Sequence, residues 1–131
     1  MRQTLEQQAQ EMISGIRDEE TRGTLTTAFN NAKKLLRELE ALRNNPELIG
    51  EDYAVSRTPT GGLQVDIKYE SQFRGSFRRE TERCLTVEGN EISATTGWSD
   101  VKTTGEDTAP AIDAIKGFRQ RLRQSLSGGA R

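Results

Sequence analysis

The stretch LQVDIKYESQFRGSFRRETERC, residues 63–84, decides the fold. In its first half Leu63, Val65, Ile67 and Tyr69 alternate with Gln64, Asp66 and Lys68. A period of two is the pattern of a β-strand with one face in a core and the other in water. The second half, FRGSFRRETERC over 73–84, holds four arginines in twelve positions, two phenylalanines and the only cysteine of the chain. Read as an extended continuation, Phe73, Gly75, Phe77 and Arg79 share one face, and Arg74, Ser76, Arg78 and Glu80 share the other. The phenylalanines then join the apolar face of Leu63, Val65 and Ile67, and Arg74 and Arg78 stand in solvent with Asp66 and Lys68.

The neighbouring segments supply partners for such a strand. YAVSR (53–57) reads as a short strand. TPTGG (58–62) is turn chemistry, with Pro59 fixing φ and two glycines open to positive φ. CLTVEGNEISA (84–94) reads as a hairpin, with Leu85 and Val87 on one arm and Ile92 and Ala94 on the other. In TTGWSDVKTTGED (95–107) the alternation weakens, and Trp98 and Val101 belong to a short edge strand or a structured loop. Connections this short demand antiparallel pairing.

On both sides of this region the period changes to that of a helix. Residues 3–16 place Leu5, Ala9, Met12, Ile13 and Ile16 at helical spacing. A second helix carries Leu25, Ala28, Ala32, Leu35, Leu39 and Leu42 at steps of three and four, widened by Phe29 and Leu36. Lys33, Lys34, Arg37, Glu38, Glu40 and Arg43 are assigned to its other faces, and Asn44-Asn45-Pro46 ends it. The stripe has heptad spacing, but it is shorter than the roughly three to four heptads that identify a coiled coil. It therefore suits an amphipathic helix lying on its own sheet better than a helix dimer. From about 109 to 126 Ile112, Ile115, Phe118, Leu122 and Leu126 form a third stripe, capped by Asp107 or Thr108 and surrounded by Lys116, Arg119, Arg121 and Arg123.

The expected fold is α+β: N-terminal helices (1–46), a central antiparallel sheet of three to five strands (51–104), and a C-terminal amphipathic helix (107–126) packed on one face. Residues 127–131 are expected to be a frayed tail, and the whole chain one domain. Leu, Ile, Val and Phe make up just under a fifth of the 131 residues. That is a thin core, but the formal net charge of −1 separates the chain from disordered sequences. Thin cores are often completed by a partner or a second copy.

Charge is unevenly placed. Residues 51–108 carry 7 basic and 11 acidic groups, whereas residues 109–131 carry 5 and 1. Glu80 and Glu82 dilute the arginines at 74, 78, 79 and 83, so that stretch reads first as a solvated mixed-charge face and second as a phosphate-binding surface. The basic terminal helix, with Lys116, Arg119, Arg121 and Arg123 opposed only by Asp113, is the better polyanion candidate, although cations at a helix C-terminus also complement its dipole. Trp98 can serve as an exposed anchor for a partner or as a plug at the end of the sheet.

Catalytic chemistry has little to work with. There is no histidine, so the commonest general base and metal ligand is missing. Cys84 lacks an imidazole to activate it, and one cysteine builds neither a disulfide nor a thiolate metal site. Asp66 and Glu70 are expected on an exposed face, where pKa shifts are small. No cofactor or metal is expected. The beginning of the chain has no apolar run of a signal peptide and no segment is apolar enough to span a membrane, so a cytoplasmic location is expected. These features predict a small non-catalytic protein-binding module (an adaptor, inhibitor or assembly factor) that self-associates through the 24–43 or the 109–126 helix. A nucleic-acid-associated protein is the second reading. A small-ligand carrier or enzyme with a pocket between sheet and helices is the third.

Overall fold

The computed structural model describes residues 2–95 and 100–128. The elements are α1 (Leu5–Ser14), α2 (Glu19–Arg43), β1 (Asp52–Arg57), β2 (Leu63–Phe73), β3 (Ser76–Glu88), β4 (Glu91–Thr95), β5 (Asp100–Thr104) and α3 (Ala109–Gly128). This is an α+β fold in which five antiparallel strands lie in sequence order, a simple meander. The region around Val101 takes the strand alternative as β5. The helix α3 runs through Gly128, so residues 127 and 128, expected in the frayed tail, continue the helix.

The first two helices begin where local chemistry satisfies orphan N–H groups. The Thr4 hydroxyl accepts from the Gln7 N–H, and the Gln7 side chain accepts from the Thr4 N–H, a reciprocal cap for α1. Asp18 opens α2 by accepting from the Thr21 N–H at 2.9 Å. The side-chain and backbone hydrogen bonds from Thr21 hold the Asp18 carboxyl below its usual range. The expected stop at Asn44 is observed, with the Asn44 N–H donating to the Glu40 carbonyl at 3.0 Å and the Asn45 N–H to the Leu42 carbonyl at 3.1 Å.

The apolar stripe of α2 is spent inside its own chain. Leu25, Ala28, Phe29, Ala32, Leu35, Leu36 and Leu39 are all buried, and the helix packs on α1, β2, β3 and α3. Helix α1 lies against β1, and α3 covers β4 and β5. Between these helices and the sheet sit Tyr53, Leu63, Val65, Ile67, Leu85, Val87, Ile92 and Ala94. One assignment on α2 is corrected. Arg43 is not on an outer face but 4% exposed. It donates to Asp52 Oδ1 at 2.7 Å and to the Gln3 carbonyl at 2.6 Å, tying α2 to β1 and to the start of the chain.

The stretch 73–84 also departs from the extended reading. Arg74 (φ 52°) and Gly75 (φ 82°) form a two-residue turn, with Phe73 paired to Ser76 and Gln72 to Phe77. Positive φ at both central residues is the geometry whose twist matches a hairpin. The turn changes the parity of the second strand, so Phe77 lies beside Gln72 and not on the Leu63–Ile67 side. Phe77 is 67% exposed, contrary to the expected inward position. The side chain of Phe73 lies outside the described residues. Further along β3 the register shifts again. Val65 pairs with Leu85 but Asp66 pairs with Arg83, which leaves Cys84 as the extra residue of a β-bulge. That single insertion returns Leu85 and Val87 to the core and makes Cys84 and Leu85 consecutive buried residues.

Candidate binding surface

The pairing leaves the middle hairpin longer than the sheet around it. Strand β1 accompanies β2 only to Lys68, and β4 accompanies β3 only from Leu85. Residues 69–73 and 76–80 therefore pair with each other alone, as a two-stranded arm about 17 Å long at ~3.3 Å per residue. At its base the loop between α2 and β1 takes the place of a neighbouring strand for one bond, the Glu70 N–H donating to the Ile49 carbonyl at 2.8 Å. Gly50, at φ 69°, makes that approach feasible, because a Cβ there would press on Glu70 Cγ at 3.0 Å.

Only two large hydrophobic side chains among the described residues are exposed, Ile49 at 71% and Phe77 at 67%. Both line one groove of about 260 Å³, together with Leu48, Glu70, Leu126 and Arg123. Three separate parts of the sequence meet there: the 46–50 loop, the base of the arm and the last turns of α3. A larger, shallower hollow of about 1000 Å³ runs between α1 and the β1 edge, its wall divided evenly between polar and apolar surface, with Gln8, Glu11, Asp18 and Arg57 beside Met12, Ile16 and Val55. The β1 edge there is already occupied, since the Val55 N–H donates to the Gln8 side chain at 3.1 Å.

The arginines of the opening stretch divide along the arm. Arg74 occupies the turn, Arg78 and Arg79 follow it, and Arg83 lies at the base opposite Asp66. All four are exposed. Arg79 lies 3.9 Å from Glu70, a pair open enough to water to contribute little. Of the α3 cations, Lys116, Arg121 and Arg123 are exposed, and Arg123 reaches the groove. Trp98 lies outside the described residues.

Arg119 departs from the expectation. Its helical spacing predicts a place on the basic surface of the last helix, yet it is 3% exposed. Its guanidinium donates to the Asn45 carbonyl at 2.7 Å, and its Nε stands 2.9 Å from Glu51 Oε2. The Nε–H is poorly aligned for a hydrogen bond, so that last contact is ionic in character. Glu51 in turn accepts from the Glu47 and Leu48 N–H groups and from the Tyr53 hydroxyl. Helical spacing alone made Arg119 a surface cation. The closeness of the α2–β1 loop to α3, which buries it, is a tertiary fact with no local signal.

Other chemistry-bearing groups are held in the interior. Cys84 is buried, and burial first, then the charges of Asp66 and Glu51, pushes its thiol up to about 12. A nucleophilic cysteine requires the opposite displacement. A carrier or enzyme of the third kind needs a pocket between sheet and helices, and that space holds Leu35, Leu39, Val65, Ile67 and Ile115 at 0–1% exposure. No helix of the described residues is long and apolar enough to cross a membrane. The chain matches no protein-family model, no curated protein and no solved structure.

Proposed function

We propose that this chain is a small non-catalytic binding module that works through protein–protein contact, and that the groove at the base of the arm is where it binds. The observation that carries this reading is the meeting of Ile49 and Phe77, the two exposed large hydrophobics among the described residues, in one groove with Leu126. Exposed apolar side chains scattered singly need no explanation, but a cluster rimmed by polar groups marks interaction sites. Self-association, the expected companion of this activity, would draw on the end of α3. There Leu122 and Leu126 are half-buried, while the α2 stripe is occupied by its own sheet.

The test is a pull-down from the native host with the intact chain and with the Ile49→Ser/Phe77→Ser double variant. A partner protein held by the first and lost by the second, at equal thermal stability, supports the reading. A partner retained by both removes the groove from it.

One observation favours a second reading, nucleic-acid association. The distal arm, residues 71–79, carries Arg74, Arg78 and Arg79 and no acidic residue. Phosphate contacts release counterions, so binding of this kind must weaken steeply with salt. A DNA or RNA mobility shift at two salt concentrations tests it.

A further inference from the structure

We infer that the groove takes an acidic segment of a partner protein, anchored by one or two bulky apolar side chains. This inference rests on the protein-binding reading and adds the chemistry of the occupant.

The apolar part comes from the groove itself. Its 260 Å³ is the size of one or two large side chains, and its apolar wall is Leu48, Ile49, Phe77 and Leu126. The charged part comes from the two elements on either side. The distal arm presents Arg74, Arg78 and Arg79, all exposed, with Glu70 3.9 Å from Arg79 across the hairpin and Glu80 following it. The last part of α3 presents Arg121 and Arg123, both exposed, and has no acidic residue after Asp113. An apolar groove lying between two cationic flanks attracts a segment whose apolar anchor has carboxylates before and after it.

The geometry also separates this occupant from a nucleic acid. Single strands bind by stacking bases on aromatic platforms, and duplexes by phosphate contact. Phe77 is the one aromatic face among the described lining residues, and Ile49 and Leu126 beside it are aliphatic and offer none. Glu47 and Glu70 line the groove and repel carboxylates as they repel phosphates, so the acidic residues of the segment lie outside it, against the arm and α3, and only the apolar anchor enters. Arg74 adds a second indication. It is the one non-glycine residue at positive φ among the described residues. Asparagine or aspartate suits that turn position better. A strained position that carries a charged side chain at the tip of an arm is where a contact residue is expected.

The experiment uses the full chain and a displayed library of short random peptides. The inference predicts enrichment of peptides with aspartates and glutamates flanking leucine, isoleucine, phenylalanine or tryptophan. Their affinity is expected to fall about tenfold with Phe77→Ala, and about tenfold with Arg123→Glu. It is also expected to weaken as sodium chloride rises from about 0.05 to 0.5 M. Circular dichroism and thermal melting of both variants check that they fold. Should one fail to fold, Ile49→Ser and Arg79→Glu replace it. Enrichment of neutral or basic peptides, no enrichment, or binding insensitive to these substitutions overturns the inference. So does a DNA duplex or a second copy of the chain that occupies the groove and displaces the peptides. The pull-down described above stands apart from these outcomes, since a non-acidic partner lost on mutation of Ile49 and Phe77 keeps the protein-binding reading and removes only this one.

Discussion

Arg119 Nε stands 2.9 Å from Glu51 Oε2, with the two side chains 4% and 0% exposed. The pair joins the last helix to the loop that precedes the first strand, 68 residues away. Two charges withdrawn from water are costly, and most of that cost is returned only while both are present. Arg119→Met leaves the Glu51 carboxylate buried with only its N–H and hydroxyl donors. It should destabilise the chain by about 3–5 kcal/mol, seen as a lower urea midpoint. The double variant Glu51→Gln/Arg119→Met should lose clearly less. An additive double variant would mean that the pair is not coupled.

Alkaline pH should unfold the chain earlier than its surface charges suggest. Burial raises the Cys84 thiol from its ordinary 9.0 to about 12, and raises the Tyr53 hydroxyl as well, with the Glu51 charge adding to the second. Both groups are held protonated in the fold. Their contribution is therefore complete below the unfolded-chain pKa and is lost as pH rises through the folded one. Between about pH 9 and 12 the thiol alone should remove roughly 1.4 kcal/mol per pH unit. Urea midpoints measured from pH 7 to 11 should be level to about 9 and then fall, and Cys84→Ala should flatten the first part of the fall. A midpoint that rises above pH 9 contradicts the assignment.

Two glycines should respond to alanine in opposite directions. A Cβ at Gly23, within α2, meets nothing within 4 Å, so Gly23→Ala should stabilise by about 0.5–1 kcal/mol. A Cβ at Gly105 would fall on the Asn31 carbonyl, where the β5–α3 connection crosses α2. Gly105→Ala should cost about 1–3 kcal/mol. Thermal midpoints of the two variants check both signs.

Ile49 and Phe77 should contribute little to folding. Because each is more than half exposed, Ile49→Ser and Phe77→Ser should change stability by no more than about 0.5 kcal/mol. A large loss would mean that these side chains are structural and that the groove is closed in solution.

What could be read from residues alone follows the range of the interactions. The helices from Leu5 and Leu25, the alternation from Leu63 to Tyr69 and the hairpin at Leu85–Ala94 are set by local periodicity, and they appear where expected. Phe77 lies away from its expected face because one short event, the Arg74–Gly75 turn, changes which side the following residues occupy. The dipeptide Arg-Gly between two phenylalanine-containing segments is the signal that could have located it. The bulge at Cys84 then reverses the parity a second time and rescues Leu85 and Val87. Arg43, Arg119 and Ile49 owe their positions to contacts between distant segments. PELIG (46–50) has no periodicity at all, and only the approach of the arm and α3 gives Ile49 a role.

The central claim is that this chain binds another protein through the groove at the base of its arm. A photoreactive phenylalanine analogue placed singly at Ile49, Phe77, Glu20 or Ser93 tests it most directly, by irradiation in the native host and mass analysis of the adducts. The account predicts adducts to one partner protein from positions 49 and 77, and none from the α2 surface at 20 or the sheet at 93. Adducts formed equally from all four positions, or only from 20 and 93, would contradict it.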